Sequence, residues 1–376
     1  MACSAPRPAP NDLNAFLKSL PLALALCLLG LIGGIVAHYA HFPLPYMLGS
    51  LFCVALVTGL MPRALPQNYR FPEHFRSIFI GMIGATIGAK ITWDVLGQLP
   101  QVSLSMAALT LFVPLTQWLN FLIFHKIGGY DRPTAFFSGS PGGLIEAIVS
   151  GEAAGADVRV LAVQQFLRII MVVTCLPIGL SLYYGHPVGS AAGISLNRTA
   201  VGVEHVPAVI AIAVVGLLIF RRLHIPASQL IGPLICAAIV TLSGLSVIQA
   251  PSWLISGCQV VIGTSLGTRF AGMDLKRLVK ATGLSILSVG TMVAVGLAMA
   301  LSIAPITGQH MDVLLISFSP GGVTEMALIA LSLNANPAVV TLHHLYRIIL
   351  TVVMLGVAKR RQWFPNPADQ QGPGKL

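Results

Sequence analysis

Ser138-Gly139-Ser140-Pro141-Gly142-Gly143-Leu144-Ile145-Glu146 returns 179 residues later as Ser317-Phe318-Ser319-Pro320-Gly321-Gly322-Val323-Thr324-Glu325. A pattern recurring at a fixed distance is the mark of a duplicated unit. The same offset carries Arg168-Ile169-Ile170 onto Arg347-Ile348-Ile349, Gly84 and Gly88 onto Gly263 and Gly267, and Lys90 onto Arg269. Upstream, an offset of 183 aligns His41, Pro43, Gly49 and Cys53 with His224, Pro226, Gly232 and Cys236, a difference of four residues that one loop absorbs. So many matches in one order do not arise from composition. The chain reads as one unit written twice.

Around these motifs the sequence is apolar. Of 376 residues, 55% are hydrophobic and 9% charged, against roughly 25% charged in a soluble domain. A soluble chain so poor in charge would leave large apolar patches facing water. Runs of about 20 apolar residues recur, each long enough to span a hydrocarbon core of roughly 30 Å. In lipid each backbone amide needs a partner within its own segment or a closed barrel. The runs lack the period-2 alternation of barrel strands, so the fold class is an all-α integral membrane protein. The first run, Leu20 to Val36, is long for a signal peptide and has no small-x-small cleavage site, and reads as the first membrane helix. The net charge of +10 comes largely from Lys and Arg in short loops. That is the positive-inside pattern and does not point to nucleic acid. The six cysteines show no metal or disulfide spacing; five lie in apolar runs and behave as small hydrophobes.

Each unit holds six apolar stretches, near 20–37, 44–61, 77–93, 102–124, 134–151 and 160–182, then 206–220, 226–245, 256–271, 281–304, 311–334 and 337–358. The expected organisation is an N-terminal tail (1–19), membrane repeat 1 (20–182), a polar connector (183–205), membrane repeat 2 (206–358) and a polar C-terminal tail (359–376). Basic clusters follow stretches two and four of the first unit (Arg63, Arg70, Arg76; Lys126, Arg132). In the second they follow stretches one, three and six (Arg221, Arg222; Lys276, Arg277, Lys280; Lys359, Arg360, Arg361). With 12 crossings the units are parallel and the clusters fall on both sides. If one stretch per unit fails to cross, the units are inverted and every cluster is cytoplasmic, leaving mainly Lys90 and Arg198 outside. The inverted arrangement is the expectation, with about 10–12 membrane segments and a broken or re-entrant Pro-Gly-Gly segment in each repeat. The short, glycine-spaced third stretch is the rival non-crossing segment.

Pro141-Gly142-Gly143 and Pro320-Gly321-Gly322 cannot continue a helix comfortably, because Pro lacks an amide proton and Gly costs about 1 kcal/mol against Ala. Matching broken segments in two halves point to a transporter's binding site. A helix starting after the glycines aims free amides at that site; a packing kink is the plainer explanation. Substrate-binding candidates are Ser140, Pro141, Gly142, Gly143, Glu146 and Arg168, with Ser319, Pro320, Gly321, Gly322, Glu325 and Arg347. Glu146 and Glu325 have the position of helix caps, and equally that of a proton carrier, a coupling-ion ligand or a partner for a buried cation. Arg168 and Arg347 sit about 15 Å into apolar helices, where an Arg costs about 2.5–3.5 kcal/mol and needs a partner. That partner is either the Glu 22 residues upstream or an anionic solute held by the guanidinium fork. Gln164 and Gln165 correspond to His343 and His344, one or two turns away. They are candidates for coupling, the histidines by carrying a proton, or else for interhelical hydrogen bonds. The glycines of the third stretch read as helix packing, and His41 and His224 as turn formers.

The duplicated Pro-Gly-Gly-x-x-Glu motif, the Arg downstream of it and the chain length resemble the AbrB-type duplicated bacterial membrane protein family over nearly the whole chain. The resemblance implies a bacterial inner membrane and brings two functional labels, transition-state regulator and ammonia monooxygenase. The residues offer no clustered ligand set for copper or iron, so an enzyme is not the expectation, and no metal or cofactor is expected. The leading expectation is a secondary transporter or exporter of a small anionic or zwitterionic solute, coupled to proton or sodium. A membrane sensor or regulatory protein is the alternative, and a metal-dependent monooxygenase ranks behind it. The expected partners are the bilayer, the solute and a coupling ion; homo-oligomerisation is left open.

Overall fold

The structure, a computed structural model, describes residues 12–363 apart from 62–64, 67–68, 70, 94–96, 98, 186–202, 224–226, 247, 272–274, 334 and 362. Arg63, Arg70, Arg198, His224, Pro226, most of the 183–205 connector and most of each outer tail therefore lie outside the described residues.

The described residues form α-helices with short 3₁₀ and π turns and no strand. In the first half these are α1 (Asp12–Tyr39), α2 (Pro45–Leu60), α3 (Glu73–Gly88), α4 (Leu99–Leu122, closing in a π turn at Ile123–Ile127), α5 (Arg132–Ser138), α6 (Leu144–Ala153) and α7 (Val158–Tyr184). The second half repeats the order with α8 (Val206–Arg222), α9 (Ser228–Leu242), α10 (Ser252–Gly267), α11 (Leu275–Thr307), α12 (Met311–Phe318), α13 (Val323–Ser332) and α14 (Pro337–Arg360). The apolar stretches read from sequence fall on these helices. The fifth of each half is two short helices, separated at 139–143 and at 319–322.

Among the described residues six helices are long and apolar enough to cross a membrane: Ser19–Tyr39, Val102–Ile127, Val158–Tyr184, Val203–Arg222, Val279–Thr307 and Pro337–Ala358. Their outer faces are apolar as well. Leu28, Ile32 and Val36 on α1 and Leu218 on α8 are each about 60% exposed, a surface that lipid covers and water would not tolerate. The protein is a multi-pass membrane protein. Four further helices, α2, α3, α9 and α10, have 15 or 16 residues.

The helices sort into two bodies by their contacts. In the first, α2 packs on α1 and α10, α9 on α3 and α8, and α3 also on α8 and α10. In the second, α4 and α11 lie side by side, with α5, α6, α7, α12, α13 and α14 around them. The main backbone contacts between the bodies are those of α13 and α14 with α3. Glycine explains the tightness of the first body. Gly33 on α1 abuts the backbone of Gly49 on α2, and Gly216 on α8 abuts Gly232 and Pro233 on α9. Gly84 and Gly88 of α3 face the carbonyls of Leu230 and Leu234 on α9, and Gly263 and Gly267 of α10 face those of Met47 and Leu51 on α2. A Cβ at any of these would meet backbone, so small residues set the spacing. The turn between α1 and α2 is tight: His41 and Leu44 have φ of 55° and 43°, a region costly for residues with a Cβ.

Candidate functional site

The two broken segments reverse the chain. Asp131 caps α5 by accepting from the Thr134 amide at 3.2 Å. Beyond Ser138 the chain turns through Pro141, without an amide proton, and Gly143, whose φ of 60° a glycine adopts without strain. The α6 helix then runs back, and Asp157 caps α7 by accepting from the Arg159 and Val160 amides at 2.9 and 3.2 Å. The Asp157 amide donates to Thr134 Oγ1 at 2.8 Å. As one helix, those 23 residues would span about 34 Å; instead their ends meet. Segment 134–157 is a hairpin. In the second half Asn336 caps α14, accepting from the Ala338 and Val339 amides at 3.1 and 3.3 Å. Residues before α12 (Gly308, Gln309, His310) and after α13 (Ala335, Asn336) line one cavity of about 500 Å³ together with Val102 of α4. This segment too returns to where it began.

The hairpins enter from opposite ends of α4. Along that helix Val102 lies at the mouth of the second hairpin and Phe112 on Phe318 near its tip, ring centres 5.7 Å apart. Further on, Asn120 meets Gly139 at the tip of the first hairpin, and Phe124 stacks on Tyr130 at its mouth, 5.8 Å apart. The α11 helix runs the other way: Leu284 packs with Phe124 and Ala135, Ser288 donates to Asn120, and Gly296 abuts Phe318. Both tips therefore lie near the middle of α4 and α11.

At a helix C-terminus the last carbonyls lack partners, and here long side chains supply them. Gln117 Nε2 donates to Phe136 O at 2.6 Å, Gln165 Nε2 to Phe137 O at 2.8 Å, Asn120 Nδ2 to Gly139 O at 3.4 Å, and Arg168 Nη1 to Ser140 O. At the second tip His344 Nε2 bonds Ile316 O at 3.0 Å, while Arg347 donates to Ser319 O and, at 2.7 Å, to Gly321 O. Gln165 to Phe137, His344 to Ile316, Arg168 to Ser140 and Arg347 to Ser319 each span 28 residues. The guanidinium partners are thus broken-helix carbonyls; among the described residues neither arginine pairs with a Glu. The Glu146 and Glu325 carboxylates instead fold back over Gly143 and Gly322, at the starts of α6 and α13, and Glu325 lies within electrostatic reach of Arg76 and Arg269.

Arg168 and Arg347 are 5% and 1% exposed, and the first tip lies against the helix that carries Arg347, with Gly142 facing Ile348 and Thr351 of α14. Three pairs of buried polar atoms around the tips have no hydrogen-bond partner among the described residues: Nε of Arg168 and Arg347, Oγ of Ser138 and Ser317, and Oε1 of Gln165 with Nδ1 of His344. Each pair is related by the 179-residue offset. Each buried polar atom without a partner asks for an explanation; others are scattered through the molecule, and these six stand out because they are matched in pairs at the tips.

The other two coupling candidates sit elsewhere. Gln164 donates to Tyr130 Oη at 2.9 Å and accepts from Ser285 at 2.5 Å, and His343 bonds Ser105 and the Val339 carbonyl, both at 2.8 Å. Sequence reasoning did not single out Ser138, Ser317, Gln117 or Asn120. The two serines belong to the repeated motif and were within reach. Gln117 and Asn120 have Gly296 and Met299 at the corresponding places, so a search for repeats passes over them. Among the described residues no three of His, Cys, Asp and Glu stand together as a metal site.

Protein YhjN of Bacillus subtilis strain 168 is 23% identical over 344 residues, which cover 86% of this chain and 88% of that protein. A protein of Escherichia coli K12 named as a regulator, AbrB, is 23% identical over 341 residues, 89% of this chain and 94% of its own. The family described as "Transition state regulatory protein AbrB" matches residues 55–362, most of the sequence including both hairpins. The chain belongs to the AbrB family.

Proposed function

We propose that the protein is a secondary transporter of a small anionic or zwitterionic solute, bound between the hairpin tips. One observation carries this reading: two buried guanidinium groups, one on each hairpin tip, with the first tip against the helix of the second arginine and without a carboxylate ion pair among the described residues. A buried ion without a counter-charge costs several kcal/mol. An anion between Arg168 and Arg347 would offset that cost. The starts of α6 and α13 add free amides and their positive dipole ends at the same place.

In this reading the chain is two inverted repeats, residues 20–182 and 206–358, with ten crossings and two re-entrant hairpins. Arg168 and Arg347 follow the starts of α7 and α14 by about 15 Å, half of a hydrocarbon core of roughly 30 Å. The end of the molecule carrying Lys126, Arg132, Arg159, Lys280 and Arg361 is cytoplasmic by the positive-inside rule, in a bacterial inner membrane. The glycine-packed body serves as the frame, and the hairpin body shifts against it to open the site to either side. The sparse backbone contact between the bodies supports that division. Substrate contacts fall to Ser140, Gly142, Gly143, Arg168, Ser319, Gly321, Gly322 and Arg347. Pro141 and Pro320 shape the turns, and Glu146 and Glu325 cap the returning helices.

Reconstituted protein should take up labelled anions, tested with a panel of carboxylates, amino acids and inorganic oxyanions. Arg168→Ala and Arg347→Ala should each abolish uptake. Unchanged flux in both variants sinks the assignment. The name of the Escherichia coli relative favours a second reading, a regulator that binds the same solute without moving it; tight binding with no flux would select it.

A further inference from the structure

The two halves differ in kind at one of the bare polar atoms near the tips. His344 Nε2 bonds the Ile316 carbonyl at 3.0 Å. A carbonyl only accepts, so this nitrogen carries the hydrogen, and in the neutral ring Nδ1 is a bare acceptor. That atom is buried and has no partner among the described residues. Arg347 is one turn further along α14, on the same face, and its Nε–H is unpartnered too. In the first half Gln165 has the same position: its Nε2 is committed to Phe137 O and Ser140 Oγ, and its Oε1 is bare. A lone pair beside an incoming oxyanion repels it. An amide oxygen cannot take up a proton near neutral pH, whereas an imidazole nitrogen can.

We propose that His344 binds the coupling proton at Nδ1, so that anion and proton enter the site together. This rests on the anion site argued above. A proton arriving alone would set a third positive charge beside Arg168 and Arg347. With the anion in place the same proton removes a repelling lone pair and donates a hydrogen bond. Each ligand therefore tightens the other, which thermodynamic linkage requires to be reciprocal.

The surrounding charges leave this role to His344. His343, its neighbour, has both ring nitrogens bonded, to Ser105 and Val339. Of the elements packed on α14, α13 brings Glu325, which acts on Arg76 of α3 and Arg269. The α6 helix brings Glu146, folded over Gly143. The α12 helix brings Asp312 at the hairpin mouth, where it accepts from the Val313 amide at 2.9 Å. The described part of α4 has no titratable side chain before its closing π turn. Arg168, which reaches the first tip from α7, is a permanent cation.

The test uses the full chain in detergent with acetate, succinate and sulfate as probes, between about pH 6 and 8. Calorimetry in two buffers of different ionisation heat counts the protons bound with each anion. At least one probe should bind with uptake of about one proton, its affinity weakening by up to tenfold per pH unit as the pH rises, the limit for one linked proton. His344→Gln, which installs the side chain the first half already uses, should still bind that probe, with no proton uptake and no pH slope. Binding without proton uptake in the native protein overturns the proposal. So does uptake that survives His344→Gln, or that disappears in His343→Gln instead. If His344→Gln does not fold, the native pH profile decides, and a flat one overturns it. Failure of all three probes, or unaltered binding in Arg168→Gln and Arg347→Gln, would bring down the anion site itself, a distinguishable result.

Discussion

Removing the two arginines singly and together should give unequal and non-additive losses of stability. Arg168→Ala leaves one buried carbonyl, Ser140 O, without its donor, and Arg347→Ala leaves two, Ser319 O and Gly321 O. An orphaned buried acceptor costs about 1–3 kcal/mol. Each change also relieves the burial of a cation, a favourable contribution of similar size in both variants. It cancels in the comparison, so Arg347→Ala should be the more destabilising by about 1–3 kcal/mol. The double variant tests the repulsion between the two groups. Each single change already removes that repulsion completely, whereas the double change removes it only once. The double variant should therefore lose more stability than the sum of the singles, by about 1–3 kcal/mol at an effective dielectric constant near 20. Equilibrium unfolding in mixed detergent micelles measures all four corners of the cycle. Additive losses, or a double variant milder than the sum, would mean that the charges are not in each other's field. The argument for an anion between them would then fail.

Gly84→Ala and Gly263→Ala should each destabilise the glycine-packed body by about 1–3 kcal/mol, since the new methyl meets a backbone carbonyl. Gly290→Ala on α11, where nothing lies within 4 Å, should be neutral or gain up to about 1 kcal/mol; detergent melts that rank the three otherwise would refute the packing account. Thr134→Val removes the bond that ties the ends of the first hairpin and should cost about 1 kcal/mol. Its Asp157 amide should exchange faster with deuterium, and unchanged exchange would show that the bond does not hold the hairpin shut. Single cysteines at Lys126, Arg222 and Lys280 should react with impermeant thiol reagents from the cytoplasmic side, and one at His310 from the other. Labelling of Lys126→Cys and Lys280→Cys from different sides would break the inverted arrangement.

The positions of the apolar helices were legible because runs of apolar side chains are a one-dimensional pattern, as are the matched residues at a constant offset on which the proposed duplication rests. The path of the fifth stretch was not. A run of about 20 apolar residues with Pro-Gly-Gly inside looks alike whether it crosses or turns back, and the contact that distinguishes them, Asp157 to Thr134, joins residues with no sequence signature. The arginine partners were hidden for a similar reason. Sequence offers Glu146 and Glu325 as the visible counter-charges, but the groups left bare by a broken helix are carbonyls, which every residue has. The division into two bodies was equally out of reach. Gly84 packs on Leu230 and Gly263 on Met47, so each unit's glycines are completed by the other unit, and internal similarity does not say which helices cross over.

Where the halves agree and where they differ separates scaffold from specificity. In the alternating access proposed above, each half must at some stage take up the arrangement the other has, so whatever both arrangements need should be duplicated. The Pro-Gly-Gly turns, the arginines on the tip carbonyls and the serines Ser138 and Ser317 are all duplicated. The surroundings are not. The α13 helix is buried along nearly its whole length, while α6 leaves Val149, Glu152 and Ala153 exposed. The first tip is held by Gln117 and Asn120, the second by apolar contact with Gly296. A perfectly symmetric pair would hold its two exchanged states at equal energy and carry no preference for a proton at either tip. The replacement of Gln165 by His344 breaks that equality at an atom facing the site. It is therefore there, more than in the shared motif, that the chemistry coupled to movement should be sought.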